Sequence, residues 1–269
     1  MTELNKRTLT IVLLFSLFAL LFTYGNNEAF YLTIYILSIF SFYEWTHINS
    51  KNNISVMLLF IIAMPLFFYL FINIFYLSLG MLIGWLILIC SMIFLRNSTK
   101  MFIKKYFITI GFFIFTSFFL ILMHMYSPSA LSYNNNLLEN KHNFLFLIIL
   151  ISSIDIFAYI SGKVFGKNKI INKISPNKTL EGYAGGYVLT VLLFILLLNY
   201  NQITWTIIDL LYLTIFILLA FFGDLFMSFV KRIYDIKDTS NILPGHGGIL
   251  DRLDSYFPSV PLFYVWMMI

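Results

Sequence analysis

Nine apolar runs, each near the length that crosses a bilayer, constrain this chain more than any other feature. A helix needs about 20 apolar residues to span the hydrocarbon core. Runs of that kind lie near 8–24, 29–47, 54–73, 75–95, 105–126, 143–161, 182–199, 205–223 and 256–269. The third and fourth are nearly continuous, with Asn73 as the weak break, and the last is short. Hydrophobic residues make up 60% of the chain and charged residues 11%, against roughly 25% charged in soluble domains. That balance leaves no room for a large soluble domain. The fold class expected is all-α: a polytopic integral membrane protein of about nine transmembrane helices. Lys6 and Arg7 precede the first run, but no small-x-small cleavage site follows, so it reads as a retained helix. Cys90 is the single cysteine and lies in an apolar run, which excludes an intrachain disulfide.

The basic residues orient these spans. With the N-terminus inside, every lysine and arginine except Lys141 falls in an inside segment. This asymmetry predicts a cytoplasmic N-terminus. It also puts the two charge-rich loops, 162–181 and 223–255, on the cytoplasmic side, where nucleotides are. The net charge of +5 does not suggest nucleic acid, because the basic residues sit in short loops between apolar runs.

Three polar constellations stand out against this apolar background. The first follows the eighth run. If that run continues as a helix, Asp224, Ser228, Lys231 and Asp235 share one face at about 100° per residue. Phe226, Phe229, Val230 and Ile233 take the opposite face. Asp224 lies deepest, and acids inside membrane segments are functional by default. The second is Pro244 to Asp254. Gly245, Gly247 and Gly248 let backbone N–H groups approach an anion closely. Asp251 and Asp254 sit at i and i+3 with Arg252 between them. Oxygen-only ligands of this kind suit Mg²⁺, and no second His or Cys stands at zinc spacing beside His246. The third is Asp155, within the sixth run, with Tyr159 one turn on and the loop GKVFGKNKIINKISPNKTLEG after it. Gly162 to Asn168 fails the P-loop pattern, having three residues between its glycines and Asn where Ser or Thr is needed. Ser175-Pro176 predicts a helix start, and a helix N-terminus with Lys178 and Thr179 nearby predicts a phosphate site.

Taken together, these residues resemble a known family. Ser228-Phe-Val-Lys231-Arg232, then Lys237-Asp238, then Leu243-Pro-Gly-His246-Gly-Gly-Ile, then Asp251-Arg252-Leu-Asp254 looks like the motif of CDP-diacylglycerol synthases, the phosphatidate cytidylyltransferases. Two further blocks are similar to the family: Asp155-x-x-Ala158-Tyr159-x-x-Gly162-Lys163-x-Phe165-Gly166-Lys167 and Ser175-Pro-x-Lys178-Thr179-x-Glu181-Gly182. The resemblance covers roughly 150–256; the first 140 residues match only as generic membrane helices. Two regions follow: 1–140, N-terminal transmembrane helices, and 141–269, C-terminal helices carrying the catalytic motifs. Met227 stands where many members carry Glu.

The resemblance implies transfer of a cytidylyl group from CTP to phosphatidate, with release of pyrophosphate and CDP-diacylglycerol. It implies a Mg²⁺-dependent enzyme of the cell (inner) membrane, working among membrane lipids and forming a homodimer. The expected catalytic residues are Asp224, Asp251, Lys231 and Lys237. Asp224, Asp251 and Asp254 are expected to hold the metal. Asp155, Ser175, Lys178, Thr179, Ser228, Arg232, Asp238, His246 and Arg252 are expected to bind substrate. Two alternatives stand beside this expectation: a CTP-dependent lipid kinase of related architecture, and an ion-coupled transporter. The transporter predicts related halves with broken helices at the midplane, and the sequence shows no such symmetry.

Overall fold

The computed structural model describes Val12, Ser16 and residues 19–49, 54–70, 73–94, 96–126, 140–171, 175–244 and 247–269, of which 68–70, 96, 140, 141, 171 and 175–177 are described by their backbone alone. After a helical segment at 19–24, ten helices and one small hairpin follow in order. They are α1 (Asn27–Ile48), α2 (Ile54–Leu70), α3 (Ile74–Phe94), α4 (Arg96–Lys105), α5 (Phe107–Met125), α6 (Asn140–Phe165), β1 (Lys169–Ile171), β2 (Ser175–Thr179), α7 (Leu180–Tyr200), α8 (Ile207–Ile233), α9 (Leu250–Leu253) and α10 (Tyr256–Met268).

The architecture is an all-α polytopic membrane protein. Among the described residues, α3, α5, the His142–Phe165 part of α6, α7 and α8 are long and apolar enough to cross a membrane. Helices α1, α2 and α10 cover the second, third and last expected spans. Most of the first expected span lies outside the described residues, although 19–24 are helical. The outward faces of the spanning helices are apolar, as lipid requires: Ile87 on α3, Leu196 on α7 and Ile207 on α8 are all exposed.

α5 is the central post. It packs against α1, α3 and α10, and most of its length is buried. Trp45 staples α1 to it. The indole ring stacks on Phe107 at 4.3 Å between centroids, and its Nε1 donates to the Phe107 carbonyl at 2.9 Å. α6 and α7 form the closest pair because small residues face each other across it. A Cβ added at Gly186 would lie 3.0 Å from the Ala158 Cβ, and one at Gly185 would collide with Ser161. Small-residue seams of this kind let membrane helices approach and gain dispersion contacts.

Helix starts follow local chemistry. Asn26 caps α1 by accepting from the Ala29 N–H at 2.9 Å. Thr206 opens α8 with a capping box to Asp209, which satisfies otherwise orphaned N–H groups. Three features differ from the sequence expectation. Residues 96–105, expected as a loop, form the short helix α4. α8 does not stop near 223 but runs to Ile233. Ser175-Pro176 does not start a helix; it lies in β2, antiparallel to β1, with Lys169 opposite Thr179 and Ile171 opposite Ser175. A proline lacks the N–H, which an edge strand tolerates as readily as a first helical turn, and it biases the preceding residue toward extended backbone. The helix starts instead at Leu180, where the Thr179 hydroxyl accepts from the Gly182 N–H at 3.2 Å.

Candidate active site

The extension of α8 decides the geometry of the site. Because the helix continues, Asp224, Ser228 and Lys231 fall on one side, while Phe226, Phe229, Val230 and Ile233 are buried on the other. Asp235 leaves this face: the helix has ended, and its backbone turns left-handed with φ 55°. The chain then folds back, so that α9 returns Asp251 to within 2.7 Å of the Lys231 ammonium.

The three constellations meet around one cavity of about 510 Å³. Asp155 and Tyr159 line it from α6, Lys178 and Thr179 from the end of β2, and Asp224 from α8. Asp251, Arg252 and Asp254 close it from the returning segment. Four carboxylates and three cationic side chains, Lys163, Lys178 and Arg252, thus line a single space, beside the apolar ends of spanning helices. Tyr183 forms a further wall, stacked on Phe221 at 3.9 Å between ring centroids.

Two ion pairs order this cluster. Lys178 pairs with Asp224, and Lys231 pairs with Asp251. Asp251 is the more elaborately held. Its Oδ1 accepts from Lys231; its Oδ2 accepts from the Thr239 N–H at 3.0 Å, the Thr239 hydroxyl at 3.1 Å and the Gly248 N–H at 3.0 Å. Burial alone would raise its pKa, but the Lys231 hydrogen bond and the Thr239 N–H outweigh it and hold the carboxyl below its usual range. Asp254 shows the opposite balance. Its burial pushes it up to about 7, opposed by Lys178 and reinforced by Asp155. Burial lowers Lys178 to about 8, with Asp254 and Asp155 resisting the drop. Strong displacements concentrated in one cleft mark a functional site.

Not every expected residue reaches this space. Ser228 lies one turn from Asp224 and is half-buried, but it is not on the cavity wall. Arg232, in the last turn of α8, is exposed and off the wall; Lys237 and Asp238 are likewise exposed and off it, because the chain has left α8 before them. Arg232 donates to the Ile236 carbonyl at 3.3 Å. His246 and Gly245 lie outside the described residues, and Ser175 is described only as part of β2.

Two carboxylates that shape the site carry no assigned role in the sequence reading: Glu181, within the Ser175–Gly182 block, and Glu44. Glu181, at the start of α7, accepts from the Lys167 and Asn168 N–H groups and from the Asn168 amide at 2.8 Å. This ties the turn before β1 to the helix that follows β2. Glu44, on α1, is fully buried and accepts from Thr239, Ser240, Ile249 and Leu250. The available signal was its place as the acid within the second apolar run.

Comparison with known proteins identifies the family. The model of the cytidylyltransferase family matches residues 5–269. A phosphatidate cytidylyltransferase of Bacillus subtilis is 47% identical over 117 residues, which cover 43% of this chain and 44% of the relative. One from Staphylococcus saprophyticus is 40% identical over 136 residues, covering 48% and 50%. One from Aquifex aeolicus is 42% identical over 125 residues, covering 45% and 47%. The aligned stretch thus spans about half the length of these relatives. With the matched family running from residue 5 to the last residue described, the chain belongs to the cytidylyltransferase family.

Proposed function

We propose that this chain is a phosphatidate cytidylyltransferase, joining CTP and phosphatidate to give CDP-diacylglycerol and pyrophosphate. The observation that carries the proposal is the convergence of Asp155, Asp224, Asp251 and Asp254 with Lys178 and Arg252 on one cavity. The names of the relatives point to the same reaction.

The chemistry needs little covalent help from the protein. A phosphomonoester has a second pKa near 6, so phosphatidate is largely a dianion at neutral pH. One of its oxygens attacks the α-phosphorus of CTP. The bond from that phosphorus to the α,β-bridging oxygen breaks, and pyrophosphate leaves with the electron pair. The obstacle is repulsion between two polyanions. Catalysis then rests on positioning and charge neutralisation, as in phosphoryl transfer generally. Lys178 and Arg252 are placed to grip phosphate oxygens across the cavity. Lys231 holds Asp251 ionised and aimed. Lys237 keeps its expected catalytic role, and Arg232, Asp238, Ser228, Ser175 and His246 their expected substrate roles, on the resemblance alone; Thr179 also lines the cavity.

A divalent cation fits the donor set. The cavity offers carboxylate oxygens and no soft ligand, which suits Mg²⁺. Among the described residues no three acidic, His or Cys side chains converge on one point. Water and substrate phosphates would therefore have to complete the shell, as they do for Mg²⁺ held by one or two carboxylates. Asp224 and Asp251 would hold it, with Asp254 adjacent. Bound there, it would neutralise charge on the triphosphate.

The cavity belongs on the cytoplasmic side of the cell membrane, supported by the concentration of basic residues in 162–181 and 223–255. The homodimer rests on the resemblance. Purified protein given CTP, Mg²⁺ and phosphatidate should release pyrophosphate in proportion to the lipid supplied; release that ignores phosphatidate would overturn the proposal.

A further inference from the structure

Glu44 lies outside the motif blocks of 155–254, yet it holds the segment that carries Asp251. Its side chain has no access to solvent. Its four donors are all neutral and divide two to each oxygen. Oε1 accepts from the Ser240 hydroxyl at 2.5 Å and the Ile249 N–H at 2.9 Å; Oε2 accepts from the Thr239 hydroxyl at 3.1 Å and the Leu250 N–H at 2.9 Å. Burying a carboxylate is costly unless its lone pairs are filled, and here each oxygen receives two hydrogen bonds. A backbone turn alone does not need an acid reaching in from a helix some two hundred residues earlier.

The link to Asp251 is direct. The Thr239 hydroxyl lies 3.1 Å from Glu44 Oε2 and also 3.1 Å from Asp251 Oδ2. It has one proton, so it donates to one of the two carboxylates at a time. The Leu250 N–H that Glu44 holds belongs to the residue immediately before Asp251. Gly248 is the remaining part of the device. A Cβ there would collide with the Thr239 hydroxyl and lie 2.5 Å from Glu44 Oε2, so only glycine lets the carboxylate in while its own N–H reaches Asp251. Glu44 and Asp251 thus grip the same short stretch from opposite sides, with Thr239 between them.

We propose that Glu44 is a positioning residue for the reaction: from α1 it holds residues 239–240 and 248–250 so that Asp251 points at Lys231 and the cavity. This rests on the proposed cytidylyltransferase function. It also gives the N-terminal region of the chain a part in the chemistry beyond membrane anchorage.

The test is Glu44→Gln in the full-length protein, which keeps shape and removes charge. Its amide nitrogen would face donors and break one of the two oxygen contacts. Misplacing a catalytic group by about 1 Å costs on the order of 10²-fold in rate. The variant should lose about that much kcat, while its KM for CTP stays within about threefold. Independently of turnover, amide hydrogen exchange at Thr239, Ile249 and Leu250 should quicken by about tenfold or more in protein without cation or substrate, as local opening becomes easier. Wild-type kcat, unchanged exchange, or an activity loss equal to the loss of folded protein would each overturn the proposal. If Glu44→Gln does not accumulate, Ser240→Ala removes a single neutral donor. It should cost about fivefold in kcat, one hydrogen bond's worth; no loss overturns the proposal. Wild-type protein inactive on phosphatidate would instead sink the proposed function, leaving the exchange experiment to decide the role of Glu44.

Discussion

Replacing Asp251 with Asn separates the demands that meet at this carboxylate. Asp251 has four donors within hydrogen-bond distance, one of them a cation and one, the Thr239 hydroxyl, shared with Glu44. Asn can keep its carbonyl oxygen toward the Thr239 and Gly248 N–H groups. Its amide nitrogen then faces the Lys231 ammonium, donor against donor. The structure loses one charge-assisted hydrogen bond, worth about 1.5–3 kcal/mol. It also leaves Lys231, with 14% of its side chain exposed, without its counter-charge. Breaking a buried pair costs about 3–5 kcal/mol, and the remaining exposure of Lys231 puts the expected loss at the lower end, about 3 kcal/mol. Lys231→Met should cost less, because the Asp251 carboxylate it leaves behind keeps the Thr239 and Gly248 donors, whereas Lys231 left alone has none of these. Thermal melting of the purified variants in detergent reads that order. Turnover reads the second demand: Asp251→Asn should reduce kcat by about 10²-fold or more, since a displaced catalytic group alone costs that much. Near-normal turnover, or a Lys231→Met variant less stable than Asp251→Asn, would refute this reasoning.

Other expectations follow from the same geometry. Lys178 loses its charge as pH rises through about 8, so turnover should fall there, whereas Asp254 gains its charge as pH rises through about 7 and should set the acid limb. Lys178→Arg keeps its charge at any working pH; its pH–rate profile should lose the fall near 8, and an unmoved alkaline limb counts against the role given to Lys178. Gly186→Val thrusts a branched side chain at Ala158 on α6 and should destabilise by about 1–3 kcal/mol, as overpacking does; melting in detergent checks it, and an unshifted transition contradicts the α6–α7 seam. In a Cys90→Ser background, Lys163→Cys should react with an impermeant maleimide only after cells are opened, and Gln202→Cys should react in intact cells; the reverse pattern would invert the membrane orientation.

The sequence displayed the spans and most of the cavity's polar wall for identifiable reasons. Lipid makes apolar runs obligatory, so helix positions are written in composition. The face shared by Asp224, Ser228 and Lys231 followed from helical period alone, and it holds because α8 continues to Ile233. Asp235 escaped because a left-handed turn ends that period. The hairpin escaped because Pro176 suits an edge strand as well as a helix start, and only pairing with β1 settles which occurs. Glu44 escaped for a deeper reason. Its partners lie some two hundred residues away, and no local pattern reports which distant donors a buried acid will meet.

The central claim is that this cavity brings the α-phosphate of CTP to the phosphate of phosphatidate. The most direct measurement follows two labels on CTP in the presence of phosphatidate and Mg²⁺. Label at the α-phosphate should enter the lipid while label at the γ-phosphate leaves in pyrophosphate. A lipid that carries the γ label, or neither, would contradict it.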